Sequence, residues 1–117
     1  MIRLTAMLAR NAALGAEEFR AHWATTHAEL IRATPGAADH VLRYEQHPRL
    51  AHGPGGWTGS EGFDGMAVQW FASQAELAAM LASPGYRERI APDEQRLLDF
   101  ERSAFLLTDE PRVVIGD

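Results

Sequence analysis

Residues 15–35 read GAEEFRAHWATTHAELIRATP, and this stretch predicts a long amphipathic helix. At about 100° per residue, four apolar side chains fall on one narrow stripe: Ala16, Phe19, Trp23 and Leu30. Acidic residues in the first turn suit the positive end of the helix dipole, and Pro35 followed by Gly36 ends the helix. His27 lies inside the apolar stripe, so its ring must either bond a buried partner or line a polar cavity.

The rest of the chain adds further strand and helix patterns within one domain, which spans residues 1–117. Four segments have the alternating or continuous apolar pattern of strands: 1–9, 40–47, 66–71 and 103–108. Two more segments predict helices: 73–83, which begins with the capping box SQAE, and 92–101, which begins with proline and an acidic turn. This order is that of a ferredoxin-like βαββαβ sandwich, an α+β fold with helices on one face of an antiparallel sheet.

The first and third predicted strands carry large apolar residues on both sides. A sheet with helices on only one face would leave half of these residues bare to water. We therefore expect two copies of the chain to pack sheet against sheet as a homodimer.

The segment 48–63 (PRLAHGPGGWTGSEGF) has no hydrophobic period and contains five glycines. Loops of this length in compact domains are often lids or binding segments. Trp57 favours a lid that packs over a pocket mouth, and the alternative is a hairpin tip with no binding role.

The composition excludes several classes of function. The chain has no cysteine, and all eleven of its basic residues are arginine, so thiolate nucleophiles, cysteine metal sites and Schiff-base lysines are excluded. The net charge of −5 argues against nucleic-acid binding, which needs a basic face. No apolar run approaches the roughly 20 residues of a membrane span, and no signal-peptide pattern opens the sequence. We expect a soluble cytoplasmic protein that binds neither nucleic acid nor membrane.

Six motifs spread over nearly the whole chain resemble the EthD family of dimeric α+β barrel proteins: MIRLTAMLAR, EEFRAHWATTHAEL, RYEQHP, FDGMAVQWF, ASPGYRE and LLDFERSAFLL. The resemblance implies a homodimer whose sheets pack face to face, with a pocket in each subunit between sheet and helices. Related barrels include polyketide cyclases, decarboxylases, dehydratases, lactone isomerases and cofactor-free oxygenases, which act on small, often aromatic substrates. The chain departs from the family pattern at Gly15, where a serine-like cap is usual, and at His22, where an aromatic residue is common.

Three residues are candidates for catalysis. His27 stands at the place of a recurring helix histidine of the family, and an imidazole can accept or donate a proton near neutral pH. Its alternative role is that of a core histidine bonded to a backbone carbonyl. Tyr44 either donates a hydrogen bond to a developing oxyanion or packs across strands. Asp64 either bonds backbone amides in a turn or fixes the tautomer of a histidine.

Five further residues are candidates for binding a substrate: Trp23, His22, His47, Trp70 and Phe105. The aromatic residues either wall a pocket or belong to the core, and His47 either orients a substrate or terminates its strand. No metal is expected, because His22 and His27 are five residues apart, not the four that place two ligands on one helical face. No cofactor is expected either.

The sequence therefore predicts a cofactor-independent enzyme that uses acid/base catalysis on a polyketide-like or aromatic carbonyl compound. The reaction would be a cyclisation, dehydration, decarboxylation or isomerisation. Two alternatives stay open on the same fold: a non-catalytic small-molecule binding or accessory protein, and a barrel that binds haem through a histidine.

Overall fold

The computed structural model describes residues 1–55, 57 and 61–117. Within these residues four strands form one sheet: β1 (Ile2–Leu8), β2 (Arg43–Pro48), β3 (Gly65–Phe71) and β4 (Ala104–Thr108). The order across the sheet is β2-β3-β1-β4, and every neighbouring pair is antiparallel. With helices between the strands in the order βαββαβ, this is the ferredoxin-like α+β fold that the sequence predicts.

The described helices pack on one face of the sheet: α1 (Ala16–His22), α2 (Ala28–Ala33), α3 (Gln74–Ala82) and α4 (Ala91–Leu97). A π-helical turn, Trp23–His27, joins α1 to α2, and we call these three elements the first helical segment. A second π-helical turn, Tyr86–Ile90, leads directly into α4. No helix among the described residues is long and apolar enough to cross a membrane.

The first helical segment confirms the amphipathic pattern of residues 15–35 except at its start, where Ala16 of the predicted stripe is exposed. Phe19, Trp23 and His27 are buried, whereas the polar side chains of Arg20, Thr25 and Thr26 between them are exposed. At the start, the backbone N of Gly15 donates to Oε1 of Glu18 at 3.1 Å, which is the half of a capping box that needs no serine.

Two clusters of buried side chains fill the space between sheet and helices. One joins β1 and β3 to α1 and α4: Ala6, Leu8, Phe19, Trp23, Ala67, Leu97 and Leu98. The other surrounds α3: Ala37, Phe71, Leu77, Met80 and Ile90. At the centre of the sheet Ala6 lies opposite Ala67, and because both side chains are small they leave space above them.

Two predicted boundaries are wrong because local contacts replace the expected elements. The second strand begins at Arg43 rather than at 40, because His40 lies in a 3₁₀ turn and its Nδ1 bonds Oε2 of Glu76 at 2.7 Å. The last helix ends at Leu97 rather than at 101, because Leu98 forms a β-bridge to the segment that follows β1. The first change binds one connecting segment to α3, and the second binds the other to the segment that follows β1.

The outer face of the sheet, on the side away from the helices, combines cations with apolar side chains. Trp70 of β3 lies between two guanidinium groups, with Cζ of Arg3 at 5.1 Å and Cζ of Arg43 at 5.7 Å from its ring centre. Leu106 of β4 is 63% exposed on the same face. No element among the described residues covers Leu106 on this face.

Candidate active site

A cavity of about 300 Å³ lies between the sheet and the helices, and members of both core clusters form its walls. Its lining is mostly apolar but includes five polar side chains: His27, Tyr44, Gln69, Tyr86 and Glu94. No arginine is among the lining residues in the described part of the chain. A largely apolar cavity with a few convergent polar groups is the usual form of a small-molecule site.

His27 is 4% exposed, and its Nδ1 lies 2.8 Å from Oδ2 of Asp93 in α4. Burial disfavours the charge on Asp93, but hydrogen bonds from His27 and His22 more than offset it, so the pKa of Asp93 is lowered. The ionised carboxylate holds the proton on Nδ1 and leaves Nε2 of His27 with its lone pair. Burial lowers the pKa of His27, against the opposing effect of Asp93, so the ring is neutral near pH 7.

The π-helical turn brings a second histidine to the same carboxylate. Nε2 of His22 lies 2.7 Å from Oδ1 of Asp93, although His22 and His27 are five residues apart. In an α-helix this spacing points two side chains in different directions, whereas the i→i+5 hydrogen bonding of a π-helix sets them above one another. The expectation that the two histidines lie on different faces is therefore wrong. Even so, no group of three potential ligands in the described residues is arranged to hold a metal ion.

Tyr44 lines the cavity from β2, and a hydrogen bond from Gln46 sets the orientation of its hydroxyl group. Nε2 of Gln46 donates to the backbone O of Trp23 at 2.9 Å and to Oη of Tyr44 at 3.4 Å. Because the phenol oxygen accepts this bond and meets no acceptor for its own proton in the described residues, the hydroxyl can donate into the cavity. Burial raises the pKa of Tyr44, with Gln46 and Trp23 opposing the rise, so the phenol keeps its proton.

Tyr86 and Glu94 form a second polar pair in the cavity wall. The Tyr86 hydroxyl donates to Oε1 of Glu94. Burial raises the pKa of Glu94, the bond from Tyr86 lowers it in part, and the charge on Asp93 adds to the rise. Burial and the charge on Glu94 also raise the pKa of Tyr86. Adjacent carboxyl groups in α4 therefore have opposite shifts, Asp93 toward the ionised form and Glu94 toward the protonated form.

The sequence profile of the EthD domain family matches residues 11–101, a range that includes every polar cavity residue described above. This chain belongs to the EthD family. No match was found among curated proteins.

Solved structures share the fold of this EthD chain. An EthD family protein from Bacillus halodurans superposes with a TM-score of 0.69 at 18% identity, covering 95% of this chain and 99% of that one. SnoaB, a cofactor-independent oxygenase from Streptomyces nogalater, gives 0.64 at 13% identity, with 98% and 97% covered. A dimeric protein of ferredoxin-like fold from Bacteroides fragilis gives 0.67 at 12% identity, with 93% and 95% covered. At these identities the likeness shows the fold alone.

Four of the predicted site residues line the cavity of the EthD domain: His27, Tyr44, Trp23 and Phe105. Trp23 is 2% exposed, and its Nε1 has no hydrogen-bond partner among the described residues. His22 is not part of the lining and is connected to the site through its bond to Asp93.

Three predicted site residues lie away from the cavity: Asp64, His47 and Trp70. The carboxylate of Asp64 accepts from the backbone N of Arg10 at 3.0 Å and from Nη1 of Arg10 at 2.7 Å. Asp64 therefore stabilises the segment that follows β1. Nε2 of His47 lies 2.8 Å from Oε1 of Glu45, on the same outer face that carries Trp70. The structure does not bring these three residues to His27.

The loop predicted as a lid, 48–63, falls partly outside the described residues, because 56 and 58–60 are not described. Its described residues do not line the cavity that contains His27. Trp57 is 65% exposed and borders a separate, shallower depression near Met7 and Met66, beside the outer face.

Sequence reasoning missed four polar residues of the EthD site: Gln69, Tyr86, Asp93 and Glu94. The sequence presents the two acidic residues only as first-turn signals of a helix, and Asp93 is 66 positions from His27. The one available signal was Gln69, a polar side chain inside the otherwise apolar strand segment 66–71.

Proposed function

We propose that this protein is a cofactor-independent enzyme that uses His27 for acid/base catalysis on a neutral aromatic or polyketide-like carbonyl compound. The observation that carries the proposal is the buried His27–Asp93 pair in the wall of an apolar cavity. A neutral imidazole whose Nδ1 is held by a carboxylate offers Nε2 as a general base.

His27 takes a proton from the carbon next to the carbonyl group, and Asp93 stabilises the imidazolium that forms. Tyr44 donates to the carbonyl oxygen as negative charge develops there. Enolisation of this kind is the shared first step of many cyclisations, dehydrations and isomerisations of carbonyl compounds. The resemblance in fold to a cofactor-independent oxygenase supports chemistry without a bound cofactor.

The size and charge of the cavity support this substrate class. A volume of about 300 Å³ is at the lower end for small-molecule sites and suits two or three fused rings. The described lining carries no cation, so an anionic ligand would lose its hydration without gaining a partner. The substrate we propose is therefore uncharged and flat, with a carbonyl oxygen that the polar side chains can reach.

Exchange of the C2 protons of 1-tetralone in D₂O tests the proposal, because this bicyclic ketone is neutral and must enolise to exchange. We expect the protein to catalyse the exchange, measured by proton NMR. His27→Gln should keep the fold and lower the exchange rate roughly 10²–10⁴-fold, the usual contribution of a positioned proton-transfer group.

His52→Gln is the matched control, since His52 is exposed and does not line the cavity. It should exchange 1-tetralone at the wild-type rate. No catalysed exchange by the wild-type protein, or full exchange by a folded His27→Gln variant, would contradict the proposed function. Saturable binding of 1-tetralone without exchange would favour the alternative of a binding protein.

We also propose that two copies of the chain associate through the outer faces of their sheets. Leu106 is exposed on that face, which also carries the ring of Trp70 between two arginines. A protein of the same fold is described as dimeric, which supports this arrangement.

A further inference from the structure

We propose that Glu94, held by Tyr86, is a second catalytic residue, which gives a proton to the carbonyl oxygen of the ligand while His27 removes one from carbon. The inference rests on the proposed function and adds the acid that complements the base. The cavity would then contain two proton-transfer groups, His27 of the first helical segment and Glu94 of α4.

The position of Glu94 in the cavity wall is the first argument. Glu94 and Tyr86 both line the cavity, and Oε1 of Glu94 accepts the hydrogen bond from the Tyr86 hydroxyl. No ion pair joins Glu94 to a cation within the described residues. Because Tyr86 occupies only one carboxyl oxygen, a proton on the other oxygen is free to bond a ligand.

Of the charged and titratable groups around Glu94, Asp93 favours its uncharged form and the bond from Tyr86 opposes that effect. Tyr86 of the second π-helical turn donates to it, Asp93 of its own helix carries a negative charge, and Tyr44 of β2 is within electrostatic reach. The two histidines of the first helical segment are satisfied by Asp93 and do not bond Glu94. Burial and the negative neighbour together raise the pKa of Glu94 against the opposing bond from Tyr86, so Glu94 keeps its proton to a higher pH than an exposed glutamate does.

A buried donor in the same cavity supports a ligand oxygen beside Tyr44, which is within electrostatic reach of Glu94. Nε1 of Trp23 is buried without a partner in the described residues, and a lone buried N–H is costly. The Tyr44 phenol oxygen accepts from the Gln46 amide, which leaves the phenol proton available to a ligand. A carbonyl oxygen beside Tyr44 would bring an acceptor to this cluster of donors.

The step balances in atoms and electrons. Nε2 of His27 takes a proton from the α-carbon, and the electron pair of the broken C–H bond forms the C=C bond of the enol. The carbonyl π electrons move to oxygen, which takes the proton of Glu94. His27 ends as imidazolium and Glu94 as carboxylate, and proton exchange with solvent restores both. Neither an oxidant nor a reductant is needed.

Replacement of Glu94 by glutamine tests the inference, because glutamine keeps a hydrogen-bond donor but cannot give up a proton. Glu94→Gln should bind 1-tetralone with wild-type affinity, measured by tryptophan fluorescence, and exchange it about 10²-fold more slowly. The wild-type rate should fall as the pH rises through the pKa of Glu94, and the variant should lack this fall. Glu88→Gln, an exposed glutamate of the second π-helical turn, is the matched control.

Infrared spectroscopy gives a readout that does not depend on turnover. Over a pH titration, the wild-type protein should show a carboxylic-acid C=O stretch that persists above the pH at which exposed glutamates ionise, and Glu94→Gln should lack it. Loss of exchange in His27→Gln with wild-type rates and pH dependence in Glu94→Gln would overturn this inference and leave the proposed function standing. No effect from either substitution would overturn both.

Discussion

The two faces of the sheet carry different chemistry although they come from the same strands. On the inner face, the opposed Ala6 and Ala67 leave space for a cavity. On the outer face, Trp70 lies between two arginines and Leu106 is exposed. Because side chains alternate along a strand, one sequence can place a buried site on one side and a surface for association on the other.

The largest effect is expected from a substitution confined to the inner face, which should change the exchange rate and leave the outer face unaffected. Asp93→Asn should lower the exchange rate about 10³-fold, because an amide can hold the His27 ring in the wrong tautomer. The association state, measured by light scattering, should not change. A folded Asp93→Asn protein with wild-type exchange would show that the carboxylate has no part in orienting His27.

A smaller effect is expected from a charge placed on the outer face. Leu106→Glu should weaken the proposed dimer by about 10²-fold, because it would replace an exposed apolar side chain of the contact with a carboxylate that loses its hydration on association. Light scattering over a dilution series measures the change, and exchange activity per chain should persist in the monomer. If wild type is already a monomer at micromolar concentration, the proposed pairing of the outer faces is wrong.

The fold could be predicted because its signals are local. The stripe of Phe19, Trp23 and Leu30 indicates one helix, and the strand patterns alternate within a few residues. His27 could be singled out for the same reason, as a polar ring on an apolar stripe. These inferences need no knowledge of which distant segments meet.

Most of the site could not be predicted, because it depends on contacts between distant segments. Asp93 meets His27 only when α4 packs beside the first helical segment, and His22 joins them only because that segment has a π-helical turn. The sequence also does not show which face of the sheet carries Trp70. Because β3 is apolar on both faces, alternation alone does not say which face points inward. The strand register places Gln69 opposite Tyr44, and both line the cavity. Trp70, the next residue, therefore lies on the outer face.

The state of the His27 ring, with and without 1-tetralone, tests the central claim most directly. Nitrogen-15 NMR of the wild-type protein at pH 7 should show a neutral ring with its proton on Nδ1, since burial lowers the pKa of His27 and Asp93 accepts from Nδ1. Saturating 1-tetralone should shift the Nε2 signal of His27 and leave the ring of His52 unchanged. A doubly protonated ring at pH 7, or an unchanged Nε2 signal with 1-tetralone bound, would contradict the account.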